Sequence, residues 1–246
     1  MLIIYEIVPE MGTRVSSIMS RADDLKVALG TADIRIEAPI PGKATIGIEV
    51  ANNRSTIVTI GEMIESKEFK EFPSNFVCAV GKDSLGNRVV IDLTKMPNLL
   101  IGGTTGSGKT VFISSLIMSI LYKAHPNDVK MIMIDTKGIS LNIYNGIPHL
   151  IFPVITDARK ALSVLQWVIA EMQDRYNRFA EYGMRDLKGY NYSDKIQYKL
   201  PQILIIIDDL SDLMTLYKTE AEELIIRISE LSRAAGIHFV IATQRP

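Results

Sequence analysis

The run Gly103-Thr104-Thr105-Gly106-Ser107-Gly108-Lys109-Thr110 has the residue types and the spacing G-x-x-x-x-G-K-[ST] of a loop that wraps nucleotide phosphates. Glycines let the backbone turn tightly enough for consecutive N–H groups to face one anion. A helix starting at the end of such a loop adds the positive pole of its dipole at the same spot. Lys109 is then expected to reach the β- and γ-phosphates, and the Thr110 hydroxyl to hold Mg²⁺. Val111 closes the expected contact run. Leu99-Leu100-Ile101 reads as a short buried strand before the loop, and Val111 to Tyr122 as an apolar helix after it. That strand–loop–helix context separates the motif from a glycine-rich turn that merely caps a helix.

A second chemical signal is Ile203-Leu204-Ile205-Ile206-Ile207-Asp208-Asp209, an apolar strand that runs into two carboxylates. Asp208 is expected to bind Mg²⁺ through its water shell, and Asp209 to act as the base that orients an attacking water. Gln244 follows the strand Phe239-Val240-Ile241-Ala242, where a polar side chain can sense a γ-phosphate or hold that water. Read by itself, Arg233, on a helix that ends at Gly236, is a solvated surface arginine. The three histidines, His125, His149 and His238, share no metal-ligand spacing and read as satisfied or surface side chains. Trp167 reads as core on the stripe of Leu162, Leu165, Ile169 and Met172. Cys78, the one cysteine, lies in the apolar stretch Phe76–Val80 and reads as an inert buried thiol.

Positioning these groups requires strands alternating with helices. Candidate strands are Phe76–Val80, Val89–Asp92, Leu99–Ile101, Met131–Asp135, Ile203–Asp208 and His238–Thr243, with helices near 109–123, 157–182 and 220–235. This alternation predicts an α/β fold: a P-loop NTPase core with a mostly parallel sheet, preceded by a small α+β domain. Ligands in such sheets bind at the carboxyl ends of the strands. The glycine-rich loop, Asp135, Asp208 and Gln244 all fall there. Residues 1–72 form the small domain. It comprises a strand over Leu2–Val8, a helix carrying Val15, Ile18, Met19, Ala22, Leu25 and Leu29 and stopping at Gly30, and strands over Ile34–Glu37, Ala44–Val50 and Thr56–Ile60, with a turn at Asn52-Asn53. Residues 73–246 form the ATPase domain.

Composition narrows the class. The chain has 246 residues, 47% of them hydrophobic and 22% charged, as in an ordinary globular protein. No apolar run is long enough to span a bilayer, and the N-terminus lacks the basic start of a signal peptide. A cytoplasmic location is expected. The net charge of −1 gives no global footprint for nucleic acid, although a local basic rim remains compatible with it.

Several collinear segments together resemble the FtsK/SpoIIIE family of DNA translocases: PGKATIGIEVAN, KMPNLLIGGTTGSGKT, MIMIDTKGISLNIYNGIPHLIFPVITD, EMQDRYNRFAEYGMRDLKGYN, ILIIIDDLSDLM and LSRAAGIHFVIATQRP. The resemblance implies a small α domain followed by a RecA-like β domain. It also implies ATP bound between the subunits of a homo-oligomeric, hexameric ring that encircles double-stranded DNA in chromosome segregation. It implies that Arg233 acts in trans as an arginine finger and that Arg245 of ATQRP touches DNA phosphate, a sequence-independent contact. A full-length relative is expected to carry a membrane anchor that is missing here.

The departures carry expectations of their own. Where the family has Asp-Glu this chain has Asp208-Asp209, shorter by roughly 1.5 Å of reach, and slow hydrolysis with retained ATP binding is expected. Where the family has DPK this chain has Asp135-Thr136-Lys137. The sequence stops at Pro246, before the remaining pore loops and last strands that the resemblance implies. The expectation is therefore a motor fragment, or a naturally reduced relative, that binds ATP and translocates DNA poorly. Two alternatives stand beside the DNA motor: a secretion or conjugation ATPase of the same superfamily, and a non-catalytic, ring-forming ATP-binding protein.

Overall fold

The computed structural model describes residues 2–51 and 57–244. The chain divides into two compact units, residues 1–63 with 81–89, and residues 64–80 with 90–246. The first division thus falls at 63 rather than 72. The reason lies in the short helix Lys67–Lys70, whose Phe69 and Lys70 carbonyls accept hydrogen bonds from Lys123 of the larger unit. The tip 81–89 groups with the first unit because Lys82 and Arg88 both face Glu62, the latter at 3.9 Å.

In the first unit, β1 (Leu2–Ile7), β2 (Ile34–Glu37) and β3 (Ile46–Ala51) form an antiparallel sheet in the order β1-β3-β2. The central strand buries Ile46, Ile48 and Val50, the alternate residues of one face. The single helix expected over 15–29 is two helices, α1 (Val15–Met19) and α2 (Ala22–Leu29). Between them the Ser17 and Ser20 hydroxyls donate back to the Arg14 and Ser17 carbonyls, the local competition that favours ending a helix. Gly30 stops α2 in the left-handed region at φ 63°. The strand expected over Thr56–Ile60 does not form over its described residues. Ile60 instead opens α3 (Ile60–Ile64), with the Thr59 hydroxyl accepting from the Glu62 amide. The turn expected at Asn52-Asn53 lies outside the described residues.

The larger unit begins with α4 (Lys67–Lys70), and the two-stranded sheet of β4 (Val77–Lys82) and β5 (Arg88–Asp92) starts and ends in it. Its frame is β6 (Asn98–Gly102), α5 (Lys109–Lys123), β7 (Val129–Asp135), α6 (Ala158–Glu181), α7 (Leu187–Tyr192), β8 (Gln202–Asp208), α8 (Ser211–Leu216), α9 (Lys218–Leu231) and β9 (Ile237–Thr243). Four strands pair in parallel in the order β6-β9-β8-β7. The strands read as continuous apolar runs because both faces are covered. Met131, Met133, Leu204 and Ile206 pack with Ile113, Leu116 and Ile117 of α5 on one face. Ile132, Ile134, Ile203, Ile205 and Ile207 pack with Leu165, Val168, Leu213 and Ile228 on the other.

Two side chains depart from the sequence reading. Trp167 is 36% exposed and meets Phe152 edge-on at 5.2 Å. It lies two residues from Leu165, about 200° around the helix and off the buried stripe. His238 is buried, and neither ring nitrogen has a hydrogen-bond partner. Burial chiefly pushes its pKa down to about 4, Asp92 opposing and Arg233 adding to the shift. His149 is also buried, its Nε2 lying 3.0 Å from the Ala124 carbonyl and its Nδ1 unpartnered. Cys78 is buried as expected, and desolvation raises its thiol to about 12.

Candidate functional site

Parallel pairing brings the chemistry to one edge of the sheet. Pairing of Gly102 with Thr243 sets the start of the glycine-rich loop beside the end of β9, and pairing of Asp135 with Asp208 sets two carboxylates side by side. The backbone of the loop is shaped for an anion. Gly106 and Gly108 have φ of 81° and 96°, which other residues rarely adopt. A Cβ on Gly103 would lie 2.4 Å from the Ser107 hydroxyl, so a larger residue there would have to displace that side chain. Gly108 caps α5 without a side-chain bond, leaving the first N–H groups of that 15-residue helix facing the loop's mouth. Lys109 is half-buried and donates to the Gly103 carbonyl and, at 3.0 Å, to the Thr104 carbonyl. Thr104, Thr105, Ser107, Thr110 and Val111 are exposed. These residues fit a nucleoside triphosphate.

Asp208 is half-buried, and its pKa is raised first by that burial and then by the charges of Asp135 and Asp209. The Ser140 hydroxyl and the Lys109 charge act in the opposite sense. A carboxylate loaded in this way favours a nearby cation. Asp135 is consumed structurally: it accepts from the amides of Gly138, Ser140 and Leu141 at 3.0, 2.7 and 2.9 Å and organises the loop after β7.

Asp209 is buried at 8% exposure and is the one described residue other than glycine with a positive φ, at 66°. Aspartate is among the few side chains that tolerate this region, because its short polar group bonds locally. Its Oδ1 accepts from the Ser211 amide at 3.2 Å. Its Oδ2 accepts from Lys137 at 2.5 Å and from Gln244 Nε2 at 3.3 Å. Burial alone would raise its pKa, but the bonds from Lys137 and Ser211 outweigh that and hold it below the usual carboxylate range. Lys137 is correspondingly raised by the same bond. The Gln244 Oε1 accepts from the Thr105 hydroxyl at 3.2 Å. Gln244 therefore links the phosphate loop to Asp209 directly, because β9 lies between β6 and β8.

Lys137 was not singled out for a role by sequence. Its available signal was the basic residue two positions after the acidic end of β7, but only the pairing of β7 with β8 makes it a neighbour of Asp209. The Thr136 hydroxyl, donating to Asp212 at 2.9 Å, ties the same loop to α8. Arg233 is not part of this cluster. It is exposed at the other end of the sheet, in the turn between α9 and β9. Arg245 lies outside the described residues. Among the described residues, no group of three or more His, Cys, Asp or Glu could hold a metal unaided.

Comparison with known proteins decides the lineage. The model of the FtsK/SpoIIIE family matches residues 59–246, and that of the FtsK alpha domain matches residues 1–52. The chain belongs to the FtsK/SpoIIIE family. The DNA translocase FtsK of Caldanaerobacter subterraneus subsp. tengcongensis is 55% identical over 98% of this chain. The DNA translocase SftA of Bacillus subtilis is 49% identical over the same share. The chain spans only 34% and 26% of those two relatives' lengths. Among solved structures, the pCW3 conjugation coupling protein TcpA with ATPγS superposes at a TM-score of 0.64 and 25% identity, covering 99% of this chain and 68% of that one. The Thermomonospora curvata type VII secretion ATPase EccC superposes at 0.67 and 22% identity over 78% of this chain and 25% of that one, a likeness of fold. This FtsK/SpoIIIE chain thus has the P-loop ATPase fold of its relatives, with a four-stranded parallel sheet at its centre.

Proposed function

We propose that this chain is the ATPase motor portion of a double-stranded DNA translocase, working as a homo-oligomeric ring. The observation that carries the reading is the bridge made by Gln244, from Thr105 of the phosphate loop to Asp209. It joins nucleotide binding to the hydrolytic carboxylate in a chain 55% identical to a DNA translocase. Residues Gly103 to Val111 bind the triphosphate, with Lys109 drawn from its carbonyl partners to the β- and γ-oxygens. Thr110 and Asp208 would hold Mg²⁺, which supplies charge neutralisation at the phosphates. Asp209 accepts a proton from the attacking water or orients it, and Gln244 fixes the carboxylate relative to the loop.

Arg233 serves the nucleotide of a neighbouring copy. The seven residues of β9 span roughly 20 Å between its turn and the phosphate-loop edge, beyond the reach of an arginine side chain. Arg245 contacts DNA phosphate. A cytoplasmic position is part of this reading; no described helix is long and apolar enough to cross a membrane.

The test is ATP turnover with and without duplex DNA across a salt series. Stimulation by duplex that fades as salt rises is expected, because phosphate contacts release counterions. Turnover indifferent to DNA would favour a ring-forming scaffold instead. The likeness to TcpA favours a second reading, a conjugation ATPase, but at 25% identity against 55%. Complementation of a chromosome-segregation defect separates the two.

A further inference from the structure

The segment EMQDRYNRFAEYGMRDLKGYN finds no role at the phosphate-loop edge. It lies at the opposite edge, beside a cleft of about 940 Å³ lined by Gln202 and His238 at the starts of β8 and β9 and by Arg185 and Arg233. Its residues hold the turn that carries Arg233. Arg175, 1% exposed, donates through Nη1 to the carbonyls of Pro201 and Ala235, both at 2.8 Å, and through Nε to Glu171 at 2.8 Å. The Tyr176 hydroxyl donates to the Leu231 carbonyl. The Leu187 amide donates to the Ala234 carbonyl at 2.8 Å. Leu187 then packs so closely on Gly236 that a Cβ there would lie 2.1 Å from its Cδ2.

The Leu187–Ala234 bond has a consequence for charge. Arg185 stands two residues before one partner and Arg233 one residue before the other, so a fixed backbone contact delivers two arginines to one cleft. Both are exposed. Neither takes an ion pair or hydrogen bond among the described residues, although four carboxylates, Asp92, Asp128, Asp186 and Glu230, line the same cleft beside Lys188 and Lys199. Asp92 is occupied locally by Ser74 and Thr94, and Asp186 by the Gly189 amide, while the two lysines match the charges of Asp128 and Glu230. Two unpaired guanidinium groups on a rigid support are arranged for an oxyanion with several acceptor oxygens.

We propose that Arg185 is a second arginine of the trans site, gripping with Arg233 the phosphates of a nucleotide held on the phosphate loop of a second copy of this chain. The proposal rests on the trans reading of Arg233. The occupant follows from complementarity: the phosphate-loop edge presents an exposed nucleotide site, and the cleft, whose lining carries both signs of charge, presents in Arg185 and Arg233 two unpaired guanidinium groups that cannot reach their own chain's loop.

The test uses ATPγS-dependent association measured by sedimentation, with ATP turnover as a second readout. Arg185→Gln and Arg233→Gln chains each keep an intact phosphate loop, and a Lys109→Ala chain keeps intact arginines. Arg185→Gln by itself is expected to need at least about tenfold more ATPγS to associate, the worth of one charge-assisted bond lost, with an unchanged melting temperature. Mixed with the Lys109→Ala chain it regains ATPγS-dependent association, since one copy supplies the loop and the other the arginines. Arg185→Lys restores part of the loss, as a point charge in place of a fork. Normal association of Arg185→Gln beside defective Arg233→Gln overturns the role of Arg185 and leaves that of Arg233. Normal association of both overturns the trans reading itself. A defect in Arg185→Gln that mixing does not relieve assigns Arg185 to its own chain and overturns the proposal.

Discussion

Replacing Lys137 with methionine removes the cation that holds Asp209 while keeping the length of the side chain. The pair is asymmetric: the lysine side chain is 43% exposed and the aspartate side chain 10%. An exposed ion pair is worth about 0–1 kcal/mol, and breaking a buried one costs about 3–5 kcal/mol. With solvent screening discounting the lysine end, the expected loss is about 1–2 kcal/mol, or roughly 2–8 °C in melting temperature for a chain of this size. The pH dependence distinguishes this pair from generic packing. Asp209 has a lowered folded pKa, so its contribution is present above the unfolded value of about 3.9 and lost as pH falls through the folded value. Lys137 is raised, so its contribution is present below about 10.4 and lost as pH rises through the folded value. The stability gap between wild type and Lys137→Met should therefore be flat from about pH 5 to 9 and close at both ends. Without the lysine, burial of Asp209 is offset only by Ser211 and Gln244. The acid limb of ATP turnover should then move to higher pH. Urea unfolding midpoints from pH 3 to 11 and a pH–rate profile check both. A gap that persists unchanged below pH 3, together with an unmoved acid limb, would refute the reasoning.

Gly236→Ala should lose about 2–4 kcal/mol in urea unfolding, from a left-handed backbone and a forced shift of Leu187; a loss under about 0.5 kcal/mol would show that Leu187 moves freely. His238→Phe should raise stability at pH 7 by about 1 kcal/mol, since the histidine buries two unpartnered nitrogens against Phe76. Because its folded pKa lies near 4, wild type should lose stability as pH falls from about 6.5 through 4, a slope the phenylalanine variant lacks in calorimetry. Asp209→Asn, also tolerant of positive φ, should still fold, with a stability loss no larger than that of Lys137→Met because the same ion pair is lost, yet turn ATP over about 10²-fold more slowly, whereas Asp209→Glu should be no faster than wild type because glutamate suits φ 66° poorly. Faster turnover by the glutamate variant in steady-state assays would sink that account.

Periodicity made much of the larger unit legible. The limits of α5 lie within one or two residues of the apolar run Val111 to Tyr122, because glycine opens the helix and an apolar stripe continues it. The strands β7 to β9 differ from the sequence reading by one or two residues at their starts, where burial grades into turn. The small unit was less legible. Ser17 and Ser20 break a helix that the apolar spacing would continue, and Thr59 caps a helix where alternation suggested a strand. At the site, the phosphate loop and Asp208 were visible as local patterns. Lys137, Arg185 and the order β6-β9-β8-β7 were not, because each depends on which strands and turns become neighbours. The expectation of slow hydrolysis rested on comparing the lengths of Asp209 and glutamate alone. The backbone adds a separate constraint, since its φ of 66° suits aspartate and penalises glutamate.

On the proposed trans reading, parallel strands let one sheet serve two copies of the chain. All carboxyl ends lie at one edge, so the phosphate loop, Asp208, Asp209 and Gln244 collect there. All amino ends lie at the other, where α6 and α7 fasten the Arg233 turn. The two edges are chemically unlike, one built around anion-binding N–H groups and carboxylates, the other around unpaired guanidinium groups. Unlike surfaces pair head to tail, and head-to-tail contacts close into rings when the rotation permits. In such a contact each nucleotide joins the loop of one copy to the arginines of the next. On the same trans reading, hydrolysis at one edge would alter the grip at the neighbour's opposite edge, through a sheet whose core is packed on both faces. Gln244 sits at the start of that route, since β9 runs from the Arg233 turn to the Thr105–Gln244–Asp209 bridge.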